Sequence, residues 1–525
     1  MMAEGGRRKD AVASALPFLL VFVVGAVAVL GFAPFRLFPL PILTVALLLA
    51  LWLRAGSPRA AAALGFAYGL AFFLAGASWV YVSLHEFGSM PAPLAALATF
   101  LFCAVLALFP ALAGYACART ALPPPFALGL LAPAAWTLAE WTRGWIFTGF
   151  PWLALGYSQI PASPLAGYAP LLGIHGVTLA GALTAGLLVV LWQRVTARDE
   201  GPGDQRKRGL TFLVLPSAFC LLAIWLGGWA LQQVRWTEPE GDPVTVSLLQ
   251  GNISQELKWR EDRVRTTLET YRTLAENAPG RLIVMPETAL PLFLDQVPHE
   301  YLSSLAEHAR KNGGDILIGV PERVPGGAYF NSVLSLGSAP AQGYRKSHLV
   351  PFGEFIPLRP VLGWIVGVLA IPLQDFSAGE ATQRPLAVAG QRVAVNICYE
   401  DAFGEEIIRQ LPEASLLVNV SNVAWFGRSI APQQHLQISQ ARALETGRYM
   451  LRSTNTGVTA TINPRGEVAA IAPEFTAAIV TDTVQGHRGL TPYARWGNYP
   501  ALALCIALWA GAVVAGRRRR DTSRN

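Results

Sequence analysis

The sequence predicts a multi-pass α-helical membrane protein of about eight spans, with an α/β domain inserted before the last span. Three observations predict it. More than half of the 525 residues are hydrophobic (53%) and only 14% are charged, with a positive mean hydropathy, a composition that ordinary soluble domains do not have. Apolar stretches long enough for a hydrocarbon core of roughly 30 Å recur towards both ends of the chain. Between them, residues 240–492 have ordinary polarity and no apolar run of that length.

Helices are read at 12–31, 37–53, 60–82, 92–118, 126–141, 166–193 and 210–231, with the eighth at 499–516. This gives a seven-helix region over 1–235, the inserted domain over 240–492, and a segment 497–525 with the last helix and a basic tail. The first apolar run follows "GGRRKD", as a signal peptide would. It is a full span long, and no small-residue cleavage site leads into a polar start, so it reads as a retained helix.

Charge orients the spans. The inserted domain holds 21 Lys and Arg against 25 Asp and Glu, a net −4, so the flanks carry +11 and the whole chain +7. Arg7, Arg8 and Lys9, Arg54 and Arg59, Arg119, the Arg194–Arg208 cluster and Arg517–Arg520 all fall on one side of an eight-span arrangement. The positive-inside rule makes that side cytoplasmic, with both termini there and the inserted domain opposite. Basic residues placed this way set topology, and no nucleic-acid partner is expected.

Four of the five cysteines, Cys103, Cys117, Cys220 and Cys505, fall in predicted helices and read as packing residues, which leaves Cys398 alone in the inserted domain. A lone cysteine has no disulfide partner there; on spacing alone it is either a small buried hydrophobe or a reactive thiol. The seven histidines form no HxxxH pair and the cysteines no CxxC, and GxxxxGK[ST], GxGxxG and GxSxG motifs are missing. No metal and no cofactor are expected.

Chemistry is then sought at strand ends. "RLIVMPETAL" runs apolar and presents Glu287; "AQGYRKSHLVPFGEFIP" presents Lys346 and Glu354; "RVAVNICYED" presents Cys398. Such positions are held by a sheet yet reach a cleft. Singly each has a plainer explanation, since a Glu after a strand is usually a cap or surface acid and a loop Lys is usually solvated. Together they form an acid, a cation and a nucleophile. A thiol of pKa near 8.5 needs a base or positive neighbour at neutral pH. Glu287 is suited to take its proton and Lys346 to stabilise thiolate and oxyanion. A helix begun by "EDAFGEEIIRQL" would lower the thiol pKa further.

In this order, "MPE", "YRKSHLVPFGE" and "CYE" resemble the signatures of the nitrilase superfamily. With the helices and the "LVPFGE" run, the chain more closely resembles the bacterial apolipoprotein N-acyltransferases, and "LLQGNISQELKW" and "RALETGRYMLRSTNTGVTATINPRGEV" extend the likeness over nearly its whole length. Phe355 stands where that family often has Tyr. The resemblance implies a nitrilase-like four-layer α-β-β-α sandwich. It implies Cys398 as nucleophile, Glu287 as general base and Lys346 as oxyanion-stabilising residue. Glu354 and Glu400 would be further acids around the site, Tyr399 the aromatic of "CYE", and Trp259 an aromatic at the substrate entrance. Core packing for the two aromatics, and a structural hydrogen-bonding role for the two acids, stand beside those readings.

The implied reaction passes an acyl chain from a phospholipid, phosphatidylethanolamine by expectation, through a Cys398 thioester. The acceptor is the α-amino group of diacylglyceryl-cysteine in an apolipoprotein. The setting would be the bacterial inner membrane, the catalytic domain in the periplasm, the protein a monomer. Two further stretches bear on the bilayer. "TRGWIFTGFPWLALGYSQIP" (142–161) carries Trp145, Phe147, Phe150, Trp152 and Tyr157, suited to a membrane interface. "VLGWIVGVLAIPL" (361–373) is too short to span and is expected either to dip into the bilayer or to be a covered core segment. The rival readings are a membrane-tethered amidase that passes the acyl group to water, and a transporter or receptor. The latter predicts charges within the spans, where almost none stand beyond Glu140.

Overall fold

The computed structural model describes residues 2–120, 122–196, 205–258, 260–357, 360 and 375–522. Trp259 and the 361–373 stretch lie outside the described residues. The chain forms two compact units, one of Met1–Ser78, Ala96–Val234 and Asn498–Asn525, the other of Trp79–Ala95 and Arg235–Gly497.

The first unit is helical: Met2–Ala28, Pro39–Arg54, Pro58–Ala77, Ala132–Arg143, Ala169–Thr196, Gln205–Gln232 and Tyr499–Thr522, with most of Ala92–Arg119. Among the described residues, four helical runs are long and apolar enough to cross a membrane: Pro58–Ala77, Ala92–Arg119, Pro164–Thr196 and Leu215–Gln232. Ala15–Gly31, Pro39–Arg54 and Tyr499–Ala515 are shorter apolar helices. The expected fifth span, 126–141, lies within an unbroken helical run of Pro124–Phe126, a π-turn at Ala127–Leu131 and Ala132–Arg143, which is not among those four. The third helix ends at Ala77, short of the expected residue 82.

Small residues bring these helices together. A Cβ on Gly65 would stand 2.5 Å from the Pro110 carbonyl oxygen, so Pro58–Ala77 and Ala92–Arg119 cross almost backbone to backbone. Glu140 is buried but satisfied: its carboxylate accepts from Trp136 Nε1 (2.9 Å), Thr178 Oγ1 (2.9 Å) and the Leu155 amide (3.0 Å). Arg143 donates to the Trp152 carbonyl at 2.6 Å. The two ionic side chains thereby pin the 142–161 stretch. Trp152 and Tyr157 are consequently buried, and only Trp145 and Phe147 are exposed as interface aromatics would be. Cys103, Cys117 and Cys505 are buried, whereas Cys220 is exposed.

The second unit holds two six-stranded sheets and a ribbon of β1 (Glu238–Pro239) with β14 (His487–Arg488). Sheet one runs β13 (Ala478–Val484), β2 (Val244–Gln250), β3 (Leu282–Val284), β4 (Asp315–Arg323), β5 (Tyr329–Gly337) and β6 (Gln342–Arg345). Sheet two runs β12 (Val468–Ile471), β11 (Ala460–Ile462), β10 (Met450–Thr454), β9 (Leu416–Ser421), β8 (Gln391–Ile397) and β7 (Leu386–Val388). In each sheet the three strands β2–β3–β4 and β8–β9–β10 are parallel and the rest antiparallel.

Alternate residues of the strands divide between two cores, as a period of two requires. Val244, Val246 and Leu248 join Val393, Val395 and Ile397 in one apolar cluster shared by both sheets. Leu249 and Ile283 instead meet Tyr271 and Ala275 of helix Glu261–Glu276 and Tyr301, Leu305 and Ala309 of helix His299–Lys311. Ala394 and Leu417 meet Leu436 and Ala443 of helix Ala431–Thr446. Strands buried on both faces explain the continuous apolar runs "RLIVM" and "VAVNI".

The helix Ala431–Thr446 is buried along nearly its whole length. Its polar side chains must therefore find partners inside the protein. One is Trp79, whose Nε1 donates to Gln434 Oε1 at 3.1 Å while its ring meets Phe426 at 4.6 Å. Residues 79–95 thus pack with the strand-rich unit.

Candidate active site

Glu287 stands three residues beyond β3, on a turn that Gly319 of β4 accommodates: a Cβ there would lie 2.2 Å from the Pro286 oxygen. The carboxylate is 6% exposed and fully engaged. Oε1 accepts from Asn331 Nδ2 at 2.7 Å and faces Lys346 Nζ at 3.5 Å; Oε2 accepts from the Asn422 amide at 2.7 Å. Burial alone would raise its pKa. The charge of Lys346, the donors Asn331 and Asn422 and the charge of Lys258 outweigh that and hold it below the usual carboxylate range.

Lys346 directly follows β6 and is 1% exposed. Its Nζ donates to Glu354 Oε1 at 2.8 Å, closer than to Glu287. Burial disfavours its charge, but the two carboxylates and the Cys398 thiolate form more than compensate, and its pKa is raised. Glu354 in turn accepts from Asn331 Nδ2 (3.1 Å) and, through Oε2, from the Val350 amide (2.8 Å). Asn331 of β5 thus bridges both acids.

Cys398 directly follows β8 and lies in the left-handed region, with φ of 55°. Its side chain is partly open, yet the groups crowded around it withhold water. That desolvation and the charge of Glu287 push the thiol above the ordinary range, against the opposing charges of Lys346 and Arg452. The following residues form a 3-10 turn, Cys398–Ala402, and a four-residue helix, Gly404–Ile407. This corrects the expectation of a helix that lowers the thiol pKa: the turn is too short to carry an appreciable dipole.

Glu400 lies behind this set. Oε1 accepts from the Ser347 amide (2.7 Å), Ser347 Oγ (3.0 Å) and the His348 amide (3.1 Å), and Oε2 from the Ile397 amide (2.6 Å); Tyr344 OH reaches both oxygens at 3.1 Å. It clasps the strand end bearing Lys346 to the one bearing Cys398. Tyr399 is half-buried, edge-on to Phe403 (5.0 Å) and His348 (5.9 Å).

Several site residues escaped the sequence reading. Lys258, fully buried beside Glu287, donates to Thr288 Oγ1 at 2.6 Å; burial lowers its pKa to about 7 against the opposing charges of Glu287 and Cys398. Asn331, Asn419, Asn422, His435 and Arg452 also crowd the site. Only Arg452, charged within the otherwise apolar and hydroxylic "MLRST" strand, carried a readable signal.

Residues 24–187 match the family described as apolipoprotein N-acyltransferase N-terminal domain, and residues 245–493 match carbon-nitrogen hydrolase. An apolipoprotein N-acyltransferase of Nitrosomonas europaea is 54% identical over 506 residues, covering 96% of this chain and 98% of the relative. The chain belongs to the apolipoprotein N-acyltransferase family. Similar proteins of the same name from Chromobacterium violaceum and Methylococcus capsulatus are 47% and 45% identical, each covering 96% of this chain and 94% and 97% of the relative. For an apolipoprotein N-acyltransferase, the buried cluster has the parts that acyl transfer needs: a thiol, an ionised carboxylate and a fixed cation.

Proposed function

We propose that this protein transfers a fatty acyl chain from a membrane phospholipid, through a thioester on Cys398, to the α-amino group of diacylglyceryl-cysteine at the N-terminus of an apolipoprotein. The observation that carries this reading is the convergence of Glu287, Lys346 and Cys398 from three strand ends of two sheets, in a chain of this family.

In the first half-reaction Glu287 takes the thiol proton as Sγ bonds to the ester carbonyl carbon. Two N–H groups of Lys346 are engaged by Glu354 and Glu287; the third remains for the oxyanion. Collapse breaks the ester bond, and the departing lysophospholipid oxygen receives the proton from Glu287. In the second, the neutral α-amine, a sizeable fraction at pH 7 for a pKa of about 8, attacks the thioester. Glu287 accepts its proton, the amide forms, and the thiolate is reprotonated. Trp259 at the entrance, Tyr399 beside the thiol, and Glu354 and Glu400 as supporting acids complete the proposed site, with neither metal nor cofactor.

Both substrates are anchored by acyl chains, which supports a catalytic domain, 240–492, held at the bilayer surface. We further infer eight spans, a four-layer α-β-β-α arrangement of the inserted domain, and a monomer in the bacterial inner membrane. Both termini are then cytoplasmic and the site periplasmic, with phosphatidylethanolamine as donor.

Intact-mass analysis after incubation with phosphatidylethanolamine alone tests the reading. A fatty-acyl increment that hydroxylamine releases, that a diacylated lipopeptide discharges and that Cys398→Ser abolishes is expected. An increment lost to water with the lipopeptide left unmodified would favour an amidase-type hydrolase instead.

A further inference from the structure

Cys398 is not glycine, yet its φ of 55° puts it where a side chain costs of order 1 kcal/mol or more. Such a conformation persists only where its surroundings enforce it. What enforces it is a closed ring of buried polar groups beneath the residue.

The Cys398 carbonyl accepts from Asn419 Nδ2 at 3.1 Å and from His435 Nε2 at 3.2 Å. The same His435 nitrogen lies 2.6 Å from Asp401 Oδ1. Asp401 Oδ2 accepts from Ser439 Oγ and, at 3.2 Å, from Arg452 NH1. Arg452 NH1 returns to Asn419 Oδ1 at 2.6 Å, which closes the ring. Asn419 and Arg452 are register partners on β9 and β10, with Asn396 of β8 opposite Asn419 on the other side. His435 and Ser439 stand one turn apart on helix Ala431–Thr446. Two sheet strands, the turn after the nucleophile and a buried helix each contribute to the ring, and its members are at most 2% exposed.

The two acceptors fix the imidazole. Asp401 Oδ1 and a carbonyl oxygen both need a donor at Nε2, so the proton resides on Nε2. Burial, with the charge of Arg452, lowers the His435 pKa, so the ring is neutral and its tautomer is the property that Asp401 controls.

Accepting Cys398 as the nucleophile, we infer that His435 is a positioning residue: held by Asp401 in its Nε2–H tautomer, it fixes, with Asn419, the left-handed backbone that aims the thiol at Glu287 and Lys346. It touches no reacting atom. Its loss is therefore expected to slow formation of the acyl-enzyme without weakening donor binding.

The test compares His435→Gln with His435→Asn in the full-length protein. The Gln amide nitrogen reaches the place of Nε2, whereas that of Asn falls short by about one bond, ~1.5 Å. Acyl-enzyme formation is followed by the mass of the peptide carrying Cys398, over a range of phosphatidylethanolamine in mixed micelles. H435N is expected to lower the acylation rate constant by about 10²-fold, with the apparent KM within twofold of wild type. H435Q is expected to recover most of the rate. A wild-type rate in H435N, or an equal loss in both variants, overturns the positioning role. If H435N does not fold, Asp401→Asn decides: its amide would turn the imidazole to the other tautomer, so the same loss at unchanged KM is expected, and an unimpaired rate overturns the role. Cys398→Ser runs in parallel. Transfer that survives it overturns the nucleophile assignment itself, which an undiminished H435N beside a wild-type adduct on Cys398 leaves intact.

Discussion

Lys346 is bound more tightly to Glu354 than to Glu287: Nζ lies 2.8 Å from Glu354 Oε1 and 3.5 Å from Glu287 Oε1. The lysine charge is thus mainly neutralised by one acid, and the other keeps its capacity to take a proton. Glu354→Gln should draw the lysine towards Glu287 and weaken the base, slowing acylation by up to about tenfold, the effect of about one unit of lost basicity. Glu287→Gln removes the proposed proton acceptor and should cost about 10³-fold. Single-turnover acylation by phosphatidylethanolamine measures both. A Glu354 variant as slow as the Glu287 variant would show that the two acids have been assigned the wrong way round.

Glu400 holds two strand ends together, its two oxygens accepting from Ser347, His348 and Ile397 amides. Glu400→Gln keeps the shape but turns an NH₂ towards amide donors such as Ser347 N–H or Ile397 N–H. A buried donor left facing a donor costs about 1–3 kcal/mol. The thermal midpoint of the detergent-solubilised protein should fall by several degrees, and acylation at low temperature, where the variant stays folded, should fall less than in Glu354→Gln. An unchanged midpoint would count against the clasp.

With the thiol pushed above its ordinary pKa and Glu287 held below its own, the resting site holds a protonated thiol and an ionised carboxylate. Alkylation of Cys398 by iodoacetamide should then rise by about tenfold per pH unit from 7 to 9, since only the thiolate reacts. Lys346→Met removes a charge that lowers the thiol pKa, so alkylation should be slower at every pH. A plateau already reached at pH 7 would mean that a stable thiolate, and hence an ion pair with Lys346, exists before substrate arrives.

The candidate strand ends at Glu287 and Cys398 were legible because each closes an apolar run with a charge or a thiol, whereas Lys346 follows the polar edge strand QGYR and stood out only through the motif around it. The ring under Cys398 was not legible, since Asn419, His435 and Arg452 meet only through register and helix packing, across a separation no local pattern records. The end of the third helix was misjudged for a related reason. Trp79 and its neighbours are apolar enough to extend a span, but their partners are Gln434 and Phe426, some 350 residues away.

Lys258 gives the last prediction. It is a second buried cation at the base, donating to Thr288 Oγ1 at 2.6 Å beside the strained turn, φ 45°, that follows Glu287. Its charge is one of the influences that keep Glu287 ionised. As the proposed base, Glu287 acts only when deprotonated, so the acid limb of the acylation rate is expected to follow its pKa. Lys258→Met removes a favourable charge from the ionised form, which raises that pKa and moves the acid limb to higher pH. Lys258 itself titrates at about 7, so in the wild type this support is complete below neutrality and fades above it. The difference between variant and wild type should therefore be largest at pH 5–6 and close to nil by pH 8–9. Acylation rates measured from pH 5 to 9 on both proteins decide the matter. A uniform loss across that range would assign Lys258 to holding the Thr288 turn, with no part in the electrostatics of the base.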